Sequence, residues 1–228
     1  LTYSISGTEL AISSAGVITF KAAPDFETKT SYTATVTVSD GVNSVTKALT
    51  ISVTNVNDIA PVISSAATYS AAENQTGIGS VSASDAEGDT LTYSISGTEL
   101  AISSAGVITF KAAPDFETKT SYTATVTVSD GVNTATKALT ISVTNVNDVP
   151  PVISSAATYS AAENQTGIGS VSASDAEGDT LTYSISGTEL AISSAGVITF
   201  KAAPDFETKT SYTATVTVSD GVNSVTKA

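Results

Sequence analysis

The side chains able to do chemistry in this sequence are almost all oxygen-bearing. Of 228 residues, 22 are Asp or Glu and nine are Lys, while Arg, His, Cys, Met and Trp are absent. There is therefore no thiol nucleophile, no imidazole acid or base, no disulfide, and no zinc or copper site of the usual kind. What remains is carboxylates, hydroxyls and backbone carbonyls, the ligand set of hard cations such as Ca²⁺. A net charge of -13 without any Arg argues against binding nucleic acid, whose phosphates would be repelled along most of the surface. Carboxylate pairs can run glycoside hydrolysis. An aromatic content of 6% with no Trp offers little to stack a sugar, however, and the same acids recur along the chain. No enzymatic role is expected.

The elements that must position these acids repeat. Leu1, Leu91 and Leu181 open the same sequence, so the period is 90 residues, and residues 1–138 overlay on 91–228 with 132 of 138 pairs identical. Ninety residues is enough for one small domain. Turn-forming Asn and Asp followed by Pro mark linkers at residues 55–61 and 145–151. Cutting there divides the chain into 1–57, the C-terminal part of a repeat, 58–147, a complete repeat, and 148–228, a repeat lacking its last strand. The missing Met and the opening in mid-pattern lead to the expectation that this is a slice of a longer chain. No apolar run approaches the roughly 20 residues that span a bilayer, so direct membrane insertion is not expected.

Within the complete repeat, Tyr122, Ala124, Val126 and Val128 alternate with Thr123, Thr125, Thr127 and Ser129, the period of a half-buried strand. Similar patterns run through Leu91, Tyr93 and Ile95, through residues 107–110, and through Leu139, Ile141 and Val143. Shorter runs at 61–63, 78–83 and 100–102 bring the expected count to about seven, punctuated by Gly77, Gly88, Gly97, Gly106 and Asp130-Gly131. No stretch has helical periodicity of useful length. The reading is all-β: tandem seven-stranded Greek-key β-sandwiches with a 90-residue period.

Nine acids fall in the complete repeat, Asp58, Glu73, Asp85, Glu87, Asp89, Glu99, Asp115, Glu117 and Asp130, against Lys111, Lys119 and Lys137. Nearly all sit at strand ends or in loops. A sandwich sorts such acids to its two poles, and stacked sandwiches bring a pole of one against a pole of the next, across the linker. Taken singly, Asp130-Gly131 reads as a hairpin turn and Asp115-Phe116-Glu117 as a solvated turn.

Five segments in order resemble the cadherin repeat in the variant found in bacterial surface and secreted (RTX-type) adhesins. Ala72-Glu73-Asn74 is similar to that family's Pro-Glu-Asn. Asp85-Ala86-Glu87 followed by Tyr93-Ser94-Ile95 is similar to its Asp-x-Asp and the strand after it. Asp115-Phe116-Glu117 ahead of Tyr122, Ser129-Asp130-Gly131, and Asn145 to Asp148 with Pro151 complete the set. The resemblance implies Ca²⁺ at each junction between repeats. At one junction it assigns Asp25, Glu27, Asn55, Asn57, Asp58, Asp85, Glu87 and Asp130. At the other it assigns Glu73, Asp115, Glu117, Asn145, Asn147, Asp148, Asp175, Glu177 and Asp220. The sequence departs from the family where Asn55 and Asn145 replace a linker Asp, Ile59 and Val149 replace an Asn, and Glu87 and Glu177 replace the second Asp of Asp-x-Asp. At least one ion per junction is expected, with Asp89 replacing some of the lost charge.

The function this implies is a calcium-stiffened extracellular spacer, the stalk of a large, membrane-anchored cell-surface adhesin acting in cell adhesion or biofilm. Its partners would be adjacent repeats of the same chain. The alternative is that the repeats themselves adhere, to identical arrays or to surface glycans. Residues 49–53 duplicate a strand that the last repeat lacks, so fraying or exchange of strands between chains is also expected.

Overall fold

The structure, a computed structural model, describes all 228 residues and contains no helix. Strands β1 (Thr2–Ile5), β2 (Leu10–Ile12), β3 (Ile18–Phe20), β4 (Ser31–Ser39) and β5 (Ser44–Ser52) come from the first stretch. The complete repeat holds β6 (Val62–Ile63), β7 (Thr68–Ala72), β8 (Gly77–Ser80), β9 (Ala83–Ser84), β10 (Thr92–Ile95), β11 (Leu100–Ile102), β12 (Val107–Phe110), β13 (Ser121–Ser129) and β14 (Thr134–Thr144). The last stretch holds β15 (Val152–Ile153), β16 (Gly167–Ser170), β17 (Ala173–Ser174), β18 (Thr182–Ile185), β19 (Leu190–Ile192), β20 (Val197–Phe200), β21 (Val216–Ser219) and β22 (Ser224–Lys227).

The chain forms two compact units, Leu1–Tyr69 with Ile78–Lys111 and Thr123–Thr140, and Ser70–Gly77 with Ala112–Tyr122 and Ile141–Ala228. Each linker, with the acids on both its sides, lies wholly inside one unit. In the first unit β4 stands between β1 and β5, and β4 and β5 pair antiparallel from Ser31↔Ser52 to Ser39↔Ser44. β10 pairs β13 with Tyr93 opposite Val128, and β11 pairs β12. In the second unit β18, β21 and β22 form one sheet and β16, β20 and β19 another. These are the two faces of a sandwich, built by β-branched residues whose inward members alternate with outward Thr and Ser.

Burial follows the alternation. Ile108, Val126 and Val128 are fully buried in the first unit. In the second, Val171, Ile198, Val216 and Val218 make the core, with Tyr183 and Ile185 packed against it. The hairpin joining β13 to β14 turns at Gly131, whose φ of 102° is in the left-handed region that glycine alone enters cheaply. Gly106 is needed for another reason as well: a Cβ there would lie 2.5 Å from the Val81 carbonyl oxygen.

The complete repeat has nine strand segments where about seven are expected from the sequence. The run at 78–83 divides into β8 and β9. The other addition is β7, whose Thr-Tyr-Ser-Ala-Ala carries too little hydrophobic contrast to mark a strand; it forms as the outer neighbour of β14, in the order β10-β13-β14-β7.

Candidate metal-binding junctions

At the second linker, Glu73 is the organising side chain. It follows β7 and is 3% exposed, an unusual position for a carboxylate. Its Oε2 accepts the Phe116 N–H at 2.7 Å and its Oε1 the Val146 N–H at 2.7 Å. One carboxylate thus ties the end of β7 both to the 115–118 turn and to the linker. Asn74, at a φ of 61°, turns the chain so that its amide donates to Asp148 Oδ2 at 2.5 Å. Glu177 approaches the same linker from the following repeat, its two oxygens accepting the N–H groups of Asp148 (3.0 Å) and Val149 (3.2 Å). Glutamate in place of aspartate supplies the extra reach for this paired contact. As a result Glu73, Glu117, Asp148 and Glu177 present oxygens that all lie within 4.8 Å of one another.

A second group shares Glu177. Asp175 Oδ1 accepts the N–H groups of Glu177 (3.0 Å) and Asp179 (3.2 Å), and Asp175, Glu177 and Asp179 converge within the same 4.8 Å limit. Asn147 bridges from the linker, donating to Asp179 Oδ2 at 2.7 Å and accepting from the Asn223 amide at 2.8 Å. Asp220 is 8% exposed and takes the N–H groups of Val222 and Asn223 on its Oδ1.

The first linker repeats the pattern with one piece fewer. Glu87 caps Asp58 N at 2.9 Å and Ile59 N at 3.2 Å, and Glu27, Asp58 and Glu87 converge, as do Asp85, Glu87 and Asp89. Asn57 accepts from the Asn133 amide and donates to the Asp130 carbonyl.

Several carboxylates are left half-used. Asp85, Asp130, Asp175 and Asp220 each spend Oδ1 on backbone amides, while Oδ2 is buried with no hydrogen-bond partner; Asp89 Oδ2 is in the same state. A buried anionic oxygen without a donor is costly unless a cation meets it. Four of the nine lysines are committed elsewhere: Lys29 pairs with Glu9 and Lys209 with Glu189, while Lys137 and Lys227 donate to the carbonyls of Ser65 and Ser155. The donor set, all hard oxygens around buried orphan atoms, fits Ca²⁺.

The acidity of these groups reflects the crowding. Glu117 is held above the ordinary glutamate range by desolvation and by the charges of Glu73, Glu177 and Asp115. At the first linker the Glu27 amide lowers its own carboxyl, yet desolvation together with Asp25 and Glu87 pushes it up. Asp130 and Asp220 go the other way. Burial opposes their ionisation, but the amides of residues 132–133 and 222–223 outweigh it and hold them below the ordinary range.

Other expected ligands sit differently. Asp115 and Asp25 cap their own turns: Asp115 Oδ1 accepts Thr118 N and its Oδ2 the Thr118 hydroxyl, and Asp25 does the same with Thr28. Asn55 and Asn145 are exposed at the start of the linkers. Asp179, Asn133 and Asn223 join the junctions without having been assigned to them. The signal for Asp179 was the Asp-x-Glu-x-Asp alternation; Asn133 and Asn223 carried none.

A β-sandwich array with acid-rich linkers is the architecture of cadherin repeats, and the comparisons agree on fold. The structure is similar to the crystal structure of mouse protocadherin-24 EC1-3, with a TM-score of 0.75 and 22% identity over 99% of this chain and 88% of that one. Against mouse cadherin-23 EC22-24 the TM-score is 0.76 at 22% identity, covering 99% and 82%. Residues 57–144 and 147–228 each match the bacterial Ig domain family, and the chain belongs to that family. It is also 35% identical over 146 residues to chitinase A of Pseudoalteromonas piscicida, a match that takes in 63% of this chain and 18% of the chitinase.

Proposed function

We propose that the chain is an extracellular spacer whose repeats, 1–57, 58–147 and 148–228, are locked together by Ca²⁺ at their linkers. The observation that carries this is the convergence of carboxylates from both sides of each linker, next to a second acid group that shares Glu87 or Glu177 and in which Asp85, Asp89 or Asp175 has a buried oxygen with no donor. Glu73, Glu117, Asp148, Asp175, Glu177, Asp179 and Asp220 would hold ions at one linker, and Glu27, Asp58, Asp85, Glu87, Asp89 and Asp130 at the other. Bound Ca²⁺ supplies positive charge that crosslinks linker and domains. The residues themselves set the linker path, through Glu87 on Asp58 and Ile59 and through Glu177 on Asp148 and Val149. Without the ion, like charges face each other and a short linker is free to swing.

Near-identity of repeats suits a spacer, in which copy number sets length. A surface adhesin of the RTX type is the setting we favour. The likeness to part of a chitinase supports a second setting, the same spacer within a multidomain chitin-degrading enzyme. Isothermal titration with Ca²⁺, with small-angle scattering in Ca²⁺ and in chelator, tests the proposal. Dissociation constants of about 10⁻⁴–10⁻³ M and a longer, stiffer particle with the ion are expected. Identical scattering profiles and no heat of binding refute it. Bead aggregation or glycan capture by the repeats alone would favour the adhesive reading.

A further inference from the structure

The complete repeat hangs between two linkers, 55–61 before it and 145–151 after it. Its first strand longer than two residues is β7 and its last is β14, and the two are neighbours in one sheet. Lys137 Nζ donates to the Ser65 carbonyl, Thr140 N to the Ala67 carbonyl at 2.9 Å, Glu73 N to the Thr144 carbonyl at 3.1 Å, and Val146 N to Glu73 Oε1 at 2.7 Å. The partners rise together, 65 with 137, 67 with 140, and 73 with 144 and 146, so β7 and β14 run parallel. The pair β10–β13 of the same sheet is antiparallel.

This direction decides how tension between the linkers meets the repeat. A pull through Pro61 first meets the two-residue pair β6–β9 and then drags β7 by its N-terminal end towards the first linker. A pull through Asn145 drags β14 by its C-terminal end the other way. In a parallel pair those are opposite ends, so the strands part only by sliding past each other, and the bonds between them must yield together. An antiparallel pair loaded at the same residues would open from one end, a bond at a time. Charged side chains pin both ends of the parallel pair: the Lys137 ammonium where β7 is entered and the Glu73 carboxylate where it is left, each a stronger bond than its neutral counterpart. Glu73 also accepts the Phe116 N–H, which ties the pinned end to the 115–118 turn, and at 3% exposure it leaves water little room to replace these bonds.

We propose that β7 and β14, pinned by Lys137 and Glu73, form a shear lock that keeps the repeat folded when its two linkers are pulled apart. The lock rests on the spacer reading only for the source of the tension, and it works without a bound ion. Its resistance is directional: high along the line from linker to linker, low when the two strands are drawn apart from one end. The lifetime of the folded repeat under force is set by the unfolding rate in the direction of pulling, not by its equilibrium stability.

Single-molecule lifetimes at constant force, measured in chelator on the 228-residue chain, test this. The chain has no cysteine, so Val56→Cys with Val152→Cys attaches handles outside the repeat, at side chains 65% and 60% exposed. Ala66→Cys with Ala138→Cys, both at exposed positions, attaches them at one end of the β7–β14 pair. Axial unfolding is recognised by a gain of roughly 300 Å, the reach of the chain between the outer handles. A net hydrogen bond is worth about a factor of five, so bonds that must yield together should make the axial lifetime roughly a hundredfold longer than the lifetime in the peeling direction at the same force. Glu73→Ala should shorten the axial lifetime at least about fivefold and leave the peeling lifetime within about twofold, because its bonds are intact when peeling begins at the far end. Equal lifetimes in the two directions overturn the proposal, and so does an E73A variant that shortens both alike. With no ion present, failure here is distinct from failure of the calcium titration that tests the spacer reading.

Discussion

Replacing Glu73 by Ala and, separately, Glu163 by Ala sets one residue against itself in two tertiary settings. The flanking sequence is the same for ten residues on either side. Glu73 is 3% exposed and accepts two amides at 2.7 Å. Glu163 is exposed, and its Oε2 accepts the Phe206 N–H at 3.1 Å. Each buried N–H left without its acceptor costs about 1–3 kcal/mol, so Glu73→Ala loses roughly 2–6 kcal/mol. Against this, removing one carboxylate from the group with Glu117, Asp148 and Glu177 relieves three repulsive pairs at ~5 Å, about 2–3 kcal/mol in all in water-like surroundings. At the middle of that range hydrogen bonding wins, and the net loss is about 1–2 kcal/mol, compared with under about 1 kcal/mol for Glu163→Ala. With a urea slope of roughly 1 kcal/mol/M for so small a domain, the complete repeat should unfold ~1 M or more earlier in E73A. Proteolysis across a urea series in chelator, read by mass spectrometry, assigns the transition, because Thr134-Ala135 is unique to that repeat. Equal shifts in the two variants would refute the reasoning, since they would mean that local sequence and not the buried clamp carries the energy.

Other outcomes follow from the same geometry. Glu177→Gln should weaken Ca²⁺ binding at least about tenfold by titration, because Glu177 belongs to both acid groups of its linker, whereas Glu189→Gln should leave it unchanged. In chelator, raised Glu117 and Glu27 contribute stability below their folded pKa values and lose it as pH rises through them. Lowered Asp115, Asp130 and Asp220 contribute above the ordinary aspartate value and lose it as pH falls through their folded values. Melting temperature in chelator should therefore peak on the mildly acidic side, near pH 4–5 by ordinary carboxylate values (roughly,), and Ca²⁺ should move the optimum towards neutrality. A pH profile that Ca²⁺ leaves unmoved would contradict this. Gly106→Ala should cost about 2–4 kcal/mol in thermal or urea unfolding, combining strain at a φ of 78° with a Cβ 2.5 Å from the Val81 carbonyl oxygen. Gly131→Ala, with a φ of 102° and open space around it, should cost about 1 kcal/mol.

Much of the fold could be read along the chain. Period-two alternation of Val and Ile with Thr identifies β13 and β14 because a strand buried on one face must segregate its side chains that way. β7 escaped, since Thr-Tyr-Ser-Ala-Ala has no such contrast and becomes a strand only by pairing with β14. The site divides similarly. The acids at 85, 87, 148, 175 and 177 were assigned to the junctions through the resemblance to the cadherin repeat, and the structure places them beside the linkers. That Asp115 and Asp25 spend their oxygens on their own turns was legible only as the plainer alternative of a solvated turn. Asn133 and Asn223 reach the linkers from hairpins more than seventy residues away, which no local pattern encodes.

By itself, the sequence determined that this protein is all-β, repeats every 90 residues, and has only hard oxygen ligands to offer, because composition and period are properties of the chain before it folds. Tertiary structure decided what identical residues become. Glu73 is a buried clamp, while Glu189 is an exposed partner of Lys209; Asp220 is buried at its hairpin, while Asp205 caps an exposed turn. The physical reason is that burial and hydrogen-bond satisfaction depend on neighbours brought in from elsewhere in the chain, and the same words placed beside different neighbours carry different free energies.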